Sequence, residues 1–402
     1  MCCVLYEEAK MTKFYQQCID CGAIYSNGYV RNCKCGGLLP FRYHSIDLTD
    51  FPDQSFGDSP WKYHQVLPLN DLDYALDLGM KKTPFLKSKE IAKEISPDNP
   101  MENLYIKVEA VQPTRTFKDR EAFMTVSRMR ELGYSELVTA TTGDSGLAHA
   151  RACSIAGMKL YIYIPGNARE RWERMFDELR SDIDEEYVKV IYSGITFDEA
   201  IANAISFAKK SGTPLEYGFY NQLRIEGIKT IGFEVLEDLG RVPDWYVQAV
   251  GSGVGLYGFH KACMERYGTA PGLAGIQPKG CAPMVRAFKG YSDPTEKAVD
   301  THVLGIGNPR LYLSYPHLIR AGTVFEYGFS GGKESELKEI PGLLELYHKD
   351  GVPDVGLESC TALSGLEHLL KSGVIQPDET VVLMCSGGMR CDLPESLAES
   401  IT

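Results

Sequence analysis

Short runs of β-branched, aromatic and aliphatic residues recur along the chain, separated by longer segments with apolar residues at helical spacing. The short runs predict buried strands and the longer segments predict helices. The predicted strands lie at 105–108, 137–140, 160–164, 188–192, 246–250, 273–276 and 381–384. Four predicted helices span 146–157, 169–179, 196–210 and 223–239. One further helix is predicted to begin at residue 117, and another is predicted to follow residue 255. Strands that alternate with helices predict an α/β fold whose parallel sheets are covered on both faces.

The order of these segments predicts two successive sheet units behind a separate N-terminal unit. Proline-containing loops between residues 43 and 80 indicate a connector. We therefore expect an N-terminal unit at 1–45, a connector and the start of a large domain at 46–118, a small α/β subdomain at 119–240, and the rest of the large α/β subdomain at 241–402.

Composition argues against several classes of protein. The 402 residues are 44% hydrophobic and 24% charged, which is typical of a globular protein with sizeable cores. The net charge of −12 argues against general nucleic-acid binding, because phosphate backbones require clustered Lys and Arg. No apolar run reaches the length of a membrane span, and residues 1–8 lack the pattern of a signal peptide. We expect a cytoplasmic protein whose twelve cysteines are reduced or metal-bound.

Four of the cysteines form two closely spaced pairs, Cys18 with Cys21 and Cys33 with Cys35, and each pair is followed by glycine. This pattern is typical of zinc knuckles, in which four thiolates surround one tetrahedral ion. Four protein ligands leave no open coordination position, so such a zinc would be structural. The alternative is a short hairpin with four free thiols.

A strand, a turn and a helix meet around Lys118. Pro113 follows the strand at 105–108, residues 114–116 form the turn, and the helix begins at Phe117. A lysine at the start of a helix and beside a loop can act as a Schiff-base nucleophile. The alternative is an ordinary surface lysine.

This segment resembles the lysine motif of the fold-type II pyridoxal-phosphate (PLP) enzymes, above all that of the threonine synthase family. The matching residues are Lys107, Glu109, Pro113, Thr114, Phe117, Lys118, Asp119 and Arg120. The family has serine in place of Thr116, and usually glycine in place of Arg115 and Glu121. The resemblance implies a tryptophan synthase β-like fold, with two subdomains built on parallel or mixed sheets, and PLP bound to Lys118. Some threonine synthases also resemble the chain in having an N-terminal zinc-ribbon-like unit.

A loop at 141–146 resembles a second part of the family's site. It follows a predicted strand and opens a helix, where backbone amides bind anions. The chain has Asp144 where the family has an asparagine that contacts the cofactor's ring oxygen, and a carboxylate beside a phenolate is repulsive unless one of them is protonated. The alternative is an ordinary helix cap. The resemblance implies that the substrate carboxylate is held by Thr141, Thr142, Gly143 and Ser145.

Two later loops complete the resemblance. The glycines at 251–255 could also indicate a dinucleotide site, but no acidic ribose partner follows at the expected distance. Ser386 matches the family's hydroxyl residue beside the pyridine nitrogen, although a plain strand-to-helix turn would look similar. The resemblance assigns the phosphate of PLP to Gly251, Ser252, Gly253, Val254 and Gly255.

We therefore expect a PLP-dependent lyase that acts on a small phosphorylated amino acid, without nucleic-acid or membrane partners. The resemblance favours a homodimeric threonine synthase, which converts O-phosphohomoserine and water to threonine and phosphate. The alternative is β-replacement on O-phosphoserine, as in cysteate synthase with sulfite, and Arg115 would then be an additional substrate contact. Asp144 also leaves open a non-catalytic binding protein on the same fold. A zinc-ribbon nucleic-acid binder is disfavoured by the acidic charge.

Overall fold

The computed structural model describes residues 13–26, 28–44 and 51–388. The strands in these ranges are β1 (Phe14–Gln17), β2 (Ile24–Tyr25), β3 (Phe41–Tyr43), β4 (Phe85–Lys87), β5 (Leu104–Val108), β6 (Glu136–Ala140), β7 (Lys159–Ile164), β8 (Val188–Tyr192), β9 (Leu215–Glu216), β10 (Trp245–Ala249), β11 (Gly272–Pro278), β12 (Thr323–Gly328) and β13 (Val381–Cys385). The α-helices are α1 (Glu90–Ile95), α2 (Lys118–Glu131), α3 (Asp144–Ala156), α4 (Arg169–Glu178), α5 (Phe197–Ser211), α6 (Gln222–Leu239), α7 (Val254–Tyr267), α8 (Pro283–Phe288), α9 (Tyr315–Arg320), α10 (Lys333–Lys349) and α11 (Leu357–Lys371).

The large sheet has the strand order β12-β11-β10-β13-β5-β4. Its strands run parallel, except that β4 is antiparallel to β5. Alternate residues of β13 enter two separate hydrophobic cores: Leu383 lies in a core shared with α10 and α11, whereas Met384 lies in a core shared with α2, α6 and α7. Burial on both faces explains the continuous apolar runs of these strands.

The small sheet has the strand order β8-β7-β6-β9, and all its strands are parallel. The predicted strands and helices are confirmed, with ends displaced by at most two residues. The chain forms two main sheets, but they are not successive, because the strands of the small sheet, β6–β9, lie between β5 and β10, which both belong to the large sheet. The structure also contains elements that were not predicted from the sequence, namely β1–β4, β9 and β12, and α1 and α8–α11. The boundaries proposed for the four segments of the chain stay a prediction. Within the described residues, no helix combines the length and the apolar character needed to cross a membrane.

The N-terminal unit is an antiparallel sheet with the order β2-β1-β3, and buried charges attach it to the helices behind the large sheet. The Tyr43 hydroxyl donates to Glu226 of α6 at 2.7 Å. The Lys261 amine of α7 donates to the Phe41 carbonyl at 2.6 Å and lies 3.1 Å from the same Glu226 carboxylate. The attachment therefore consists of specific polar contacts in addition to apolar packing.

A fully buried ion cluster joins β5, α2 and α6. The Arg120 guanidinium lies 2.7 Å from Glu109 and 2.7 Å from Glu234, and the Lys107 amine lies 2.5 Å from Glu234. Burial by itself would raise the pKa of Glu234, but the charges of Arg120 and Lys107 outweigh burial and lower that pKa to about 2. Two cations thus balance two carboxylates, which is the condition for burying charge without a large penalty.

Replacing Arg120 with leucine is expected to destabilise the protein by about 3–5 kcal/mol, because Glu109 and Glu234 would stay buried with one cation fewer. Urea unfolding followed by circular dichroism measures this change. The matched control is Arg169→Leu, since Arg169 forms an exposed ion pair with Glu173 on α4 and should shift the unfolding midpoint little. Equal midpoints for the two variants would contradict the role of the cluster.

Candidate active site

Three predicted site segments lie at one edge of the large sheet. Strands β10, β13 and β5 are parallel neighbours, so their carboxyl ends meet at the same edge. The loops that leave these ends carry the glycines at 251–255, Ser386 and the segment before Lys118. Such an edge is where ligands bind in open α/β sheets.

Lys118 is the first residue of α2 and lies directly beside the Ser386 loop. The backbone amide of Phe117 donates to the Ser386 carbonyl at 3.0 Å, and Thr116 pairs with Gly387 in an isolated bridge. The Lys118 side chain is 20% exposed, and its amine lies 4.0 Å from the centre of the Phe117 ring. The amine is therefore largely sheltered from water but can be reached from the site.

The buried carboxylate of Glu121 connects Lys118 to the second predicted loop. It accepts a hydrogen bond from the Lys118 amine at 2.9 Å, and the Ser145 hydroxyl at the start of α3 donates to it at 3.2 Å. Arg224 of α6 lies 3.0 Å from the same carboxylate and also pairs with Glu216 of β9. Burial opposes ionisation of Glu216, but Arg224 and His149 lower its pKa to about 2.

The loop at 141–146 has a fixed shape because of hydrogen bonds within it and from Arg171. The Thr141 hydroxyl oxygen accepts from the amides of Gly143 at 3.0 Å and Gly146 at 3.3 Å. The Arg171 guanidinium donates to the Thr142 carbonyl at 2.9 Å and to Asp144 at 3.4 Å. A Cβ at position 143 would lie 1.8 Å from the guanidinium, so a larger residue there would displace Arg171 from the loop.

The glycine loop after β10 has the form of an anion cradle. Within the described residues, the amides of Gly251, Ser252 and Gly253 donate to no backbone carbonyl, and they precede the N-terminus of α7. Gly253 has φ +81°, and a Cβ there would lie 2.5 Å from the Leu318 side chain. Free amides at a helix N-terminus bind phosphate without needing a charged side chain.

Segment 303–306 connects this cradle to the second loop. A Cβ at position 251 would lie 3.4 Å from Ile306, and a Cβ at position 305 would lie 3.8 Å from the Asp144 carboxylate. The structure therefore brings Lys118 together with the second loop through Glu121 and with the Ser386 loop through Phe117. The glycine cradle is connected to them through the neighbouring strand β13 and segment 303–306.

Arg115 lies in this region and makes contacts that the sequence does not indicate. It has φ 58°, a left-handed conformation that explains why glycine is usual at this place in the related motif. Its guanidinium lies 2.6 Å from Asp354 and 3.5 Å from Glu178. A contact between Arg115 and substrate stays a prediction.

The partners of these site residues leave little trace in the sequence. In the sequence, Glu121 stands out only as a departure from the related motif, and Arg224 is one residue of the predicted helix at 223–239. Arg171 and Asp354 carried no signal, because each acts by pairing with a residue that is distant along the chain.

The described residues fit PLP. Lys118 offers a sheltered amine, the glycine cradle offers free amides to a phosphate, and Ser386 follows the strand that lies between the two. Lys118 would bind the aldehyde of the cofactor, the amides of the glycine cradle would hold its phosphate, and Ser386 would lie beside its ring nitrogen. The individual roles of the predicted residues stay predictions.

Fold and site together define a PLP-dependent enzyme. Residues 76–387 match the family of pyridoxal-phosphate dependent enzymes, and the chain belongs to that family. In a comparison with solved structures, the chain is similar to maize serine racemase (TM-score 0.64, 17% identity, 80% of this chain and 91% of that chain). It is also similar to the processed form of threonine deaminase isoform 2 from Solanum lycopersicum (TM-score 0.62, 21% identity, 80% and 82% of the two chains). This likeness confirms the predicted fold-type II architecture.

Two groups of relatives narrow the assignment of the chain within this family. The chain is 28% identical to the threonine synthase of Methanocaldococcus jannaschii, over 92% of this chain and 91% of that protein. It is 29% identical to the threonine synthase of Methanosarcina acetivorans, over 94% and 92%. It is 25% identical to the cysteate synthase of Methanosarcina barkeri, over 94% and 92%. The chain is therefore a PLP-dependent enzyme of the threonine synthase and cysteate synthase group.

The four cysteines of the N-terminal unit converge as predicted. Their sulfur atoms all lie within 4.8 Å of one another, with Cys18 3.5 Å from Cys35 and Cys21 3.5 Å from Cys33. A Cβ at position 37 would lie 2.7 Å from the Cys18 sulfur, so glycine is needed beside the cluster. Four sulfurs in such an arrangement suit tetrahedral zinc; zinc itself stays a prediction.

We expect one zinc ion per chain, measured by elemental analysis of the purified protein, and its loss in Cys21→Ser, because a structural site needs all four thiolates. Cys153→Ala is the control: Cys153 is buried in α3, and its loss should leave the zinc content unchanged. Removal of zinc by a chelator should lower the melting temperature. A metal-free wild-type protein with the same melting temperature in the presence and absence of added zinc would refute the site.

Proposed function

We propose that the protein is a PLP-dependent lyase of the threonine synthase type, which converts O-phosphohomoserine and water to threonine and phosphate. The observation that carries this proposal is the position of Lys118, whose amine lies at the head of α2 between the Ser386 loop and the loop at 141–146. Similarity to threonine synthases along nearly the whole chain supports the choice of reaction.

Each loop has a defined task in this proposal. When bound, PLP supplies an electron sink for the electrons released at the substrate's α-carbon. The amides at 251–253 and the N-terminus of α7 hold the cofactor phosphate, because they are free to donate to an anion. The residues at 141–145 hold the substrate carboxylate at the start of α3. The Lys118 amine, once released by the substrate, moves protons at the α-carbon and beyond.

Ser386 favours this kind of chemistry over transamination. A hydroxyl group beside the pyridine nitrogen leaves that nitrogen largely unprotonated, whereas a carboxylate would keep it protonated. An unprotonated ring withdraws fewer electrons, so elimination and replacement at the side chain are favoured. Ser386 is buried at the end of β13, where its own carbonyl fixes the loop to Phe117.

A second candidate is β-replacement on O-phosphoserine with sulfite. Similarity to cysteate synthase supports it, as do the departures at Arg115, Glu121 and Asp144. Arg115 lies at the turn before Lys118, where a cation could contact a second anion. Product analysis distinguishes the two reactions, because phosphohomoserine gives threonine whereas phosphoserine with sulfite gives cysteate.

We expect borohydride to fix PLP on Lys118, as shown by peptide mass spectrometry, and Lys118→Ala to lose both this label and turnover. The control Lys89→Ala removes an exposed lysine before α1 and should retain both. The reduced enzyme should lose its visible absorbance because the carbon–nitrogen double bond is gone. A reducible PLP adduct that persists in Lys118→Ala would refute the assignment.

A turnover screen then identifies which of the two substrates the enzyme uses. Purified holoenzyme is incubated with phosphohomoserine, and separately with phosphoserine and sulfite, and both phosphate release and the amino-acid product are measured. We expect threonine and phosphate from the first reaction. PLP bound to Lys118 without turnover in either reaction would indicate a non-catalytic protein on the same fold.

A further inference from the structure

Glu121 stands in place of a glycine of the related motif, and its carboxylate fills the space beside the Lys118 amine. The amine and the carboxylate are 2.9 Å apart, and the carboxylate is fully buried. Residues three apart on a helix lie on the same face, so the start of α2 holds the two groups together. The contact is therefore built into the helix and does not depend on a flexible loop.

Two groups from other helices orient this carboxylate independently of Lys118. The Ser145 hydroxyl of α3 donates to one oxygen at 3.2 Å, and the Arg224 guanidinium of α6 lies 3.0 Å from the same oxygen. The Lys118 amine donates to the other oxygen. Because Ser145 and Arg224 hold one carboxylate oxygen of Glu121 in place, the other oxygen is directed at the Lys118 nitrogen.

The charges around Glu121 favour a positive lysine nitrogen. Arg224 is shared between the carboxylates of Glu121 and Glu216, both buried. Arg224 alone cannot balance two buried carboxylates, and an unbalanced buried charge is costly. The other cationic groups that face these carboxylates are Lys118, beside Glu121, and His149, beside Glu216. His149 of α3 lies 3.7 Å from Glu216 and faces that carboxylate.

We propose that Glu121 is the counter-ion that keeps the Schiff-base nitrogen of Lys118 protonated. This inference rests on the proposed attachment of PLP to Lys118. A proton on that nitrogen draws electrons away from the adjacent carbon, which is the atom that a substrate amine must attack. A carboxylate at 2.9 Å stabilises the protonated form, and it does so more strongly in a buried site than it would in water.

The test is a pH titration of the visible absorbance of the holoprotein, after borohydride trapping and mass spectrometry have located PLP. Glu121→Gln keeps the size of the side chain and removes its charge, and Arg224 retains Glu216 as a partner. The titration midpoint is expected to fall by about one to three pH units, the effect of removing one close opposite charge. Glu131→Gln is the control: it alters the far end of the same helix, roughly 20 Å away, and should leave the midpoint unchanged.

A second variant predicts a shift of opposite sign. Arg224→Gln removes the competing cation from Glu121, so the protonated nitrogen should gain stability and the midpoint should rise. A purely structural role for Glu121 would not give opposite shifts in the two variants. If Glu121→Gln does not fold, the direction of the Arg224→Gln shift decides the test.

The outcomes separate this inference from the proposed function. PLP trapped on another residue, or not trapped at all, overturns both. PLP on Lys118 with the same midpoint in wild type and Glu121→Gln overturns the counter-ion role alone. A lower midpoint in Glu121→Gln with an unchanged midpoint in Glu131→Gln supports both.

Discussion

The burial of charged residues along helix α6 is the constraint on which the rest of the structure depends. Residues 222–236 of this helix are all buried, and they include one arginine, one lysine and two glutamates. A charge in such a position is tolerated only when a partner lies within contact distance. Glu234 forms ion pairs with Lys107 of β5 and Arg120 of α2. Glu226 contacts Tyr43 and Lys261, and Arg224 forms an ion pair with Glu121. One helix therefore positions the lysine segment, the N-terminal unit and the candidate site with respect to one another.

The departures from the related family motifs follow the same rule. Three of them introduce a charge, and each charge has a partner of opposite sign: Glu121 lies beside Arg224, Asp144 beside Arg171, and Arg115 beside Asp354. The altered residues are thus part of paired arrangements within the site. They are consistent with a site whose charge distribution differs from that of the relatives but whose frame is the same.

Much of the fold could be predicted because its strands are buried on both faces. In β13 this burial is matched by apolar residues at every position, and in β10 Gln248 is the one polar residue, so both strands can be recognised without knowledge of their partners. Strand β9 has only two residues and exists because β6 lies beside it, so no local pattern indicates it. Helix α10 contains Pro341, and α11 is rich in serine, threonine and glycine, so both depend on packing more than on helix propensity.

The site was harder to predict than the fold, for a related reason. Lys118 and the three loops could be located because glycines, helix starts and strand ends leave local signals in the sequence. The ion partners could not, since Arg224 lies about a hundred residues from Glu121, and Asp354 lies still farther from Arg115. Which charges meet is determined only when α2, α3 and α6 pack together. The sequence therefore indicates which atoms can react, whereas the packing of helices determines the charge that those atoms experience.

The register of the large sheet finally determines whether the site can exist at all. Val247 of β10 pairs with Leu383 of β13, which pairs with Ile106 of β5, and this alignment brings three strand ends to the same level. Because these strands are largely apolar on both faces, alternation alone does not select the register. Close packing of helices does: in α11, a Cβ at position 365 would lie 2.3 Å from the Ile276 side chain of β11, so glycine lets the helix rest directly on the sheet. A shift of β11 by one residue would place a different side chain under that glycine. The contact between α11 and β11 therefore helps to fix the register of the sheet whose edge carries the site.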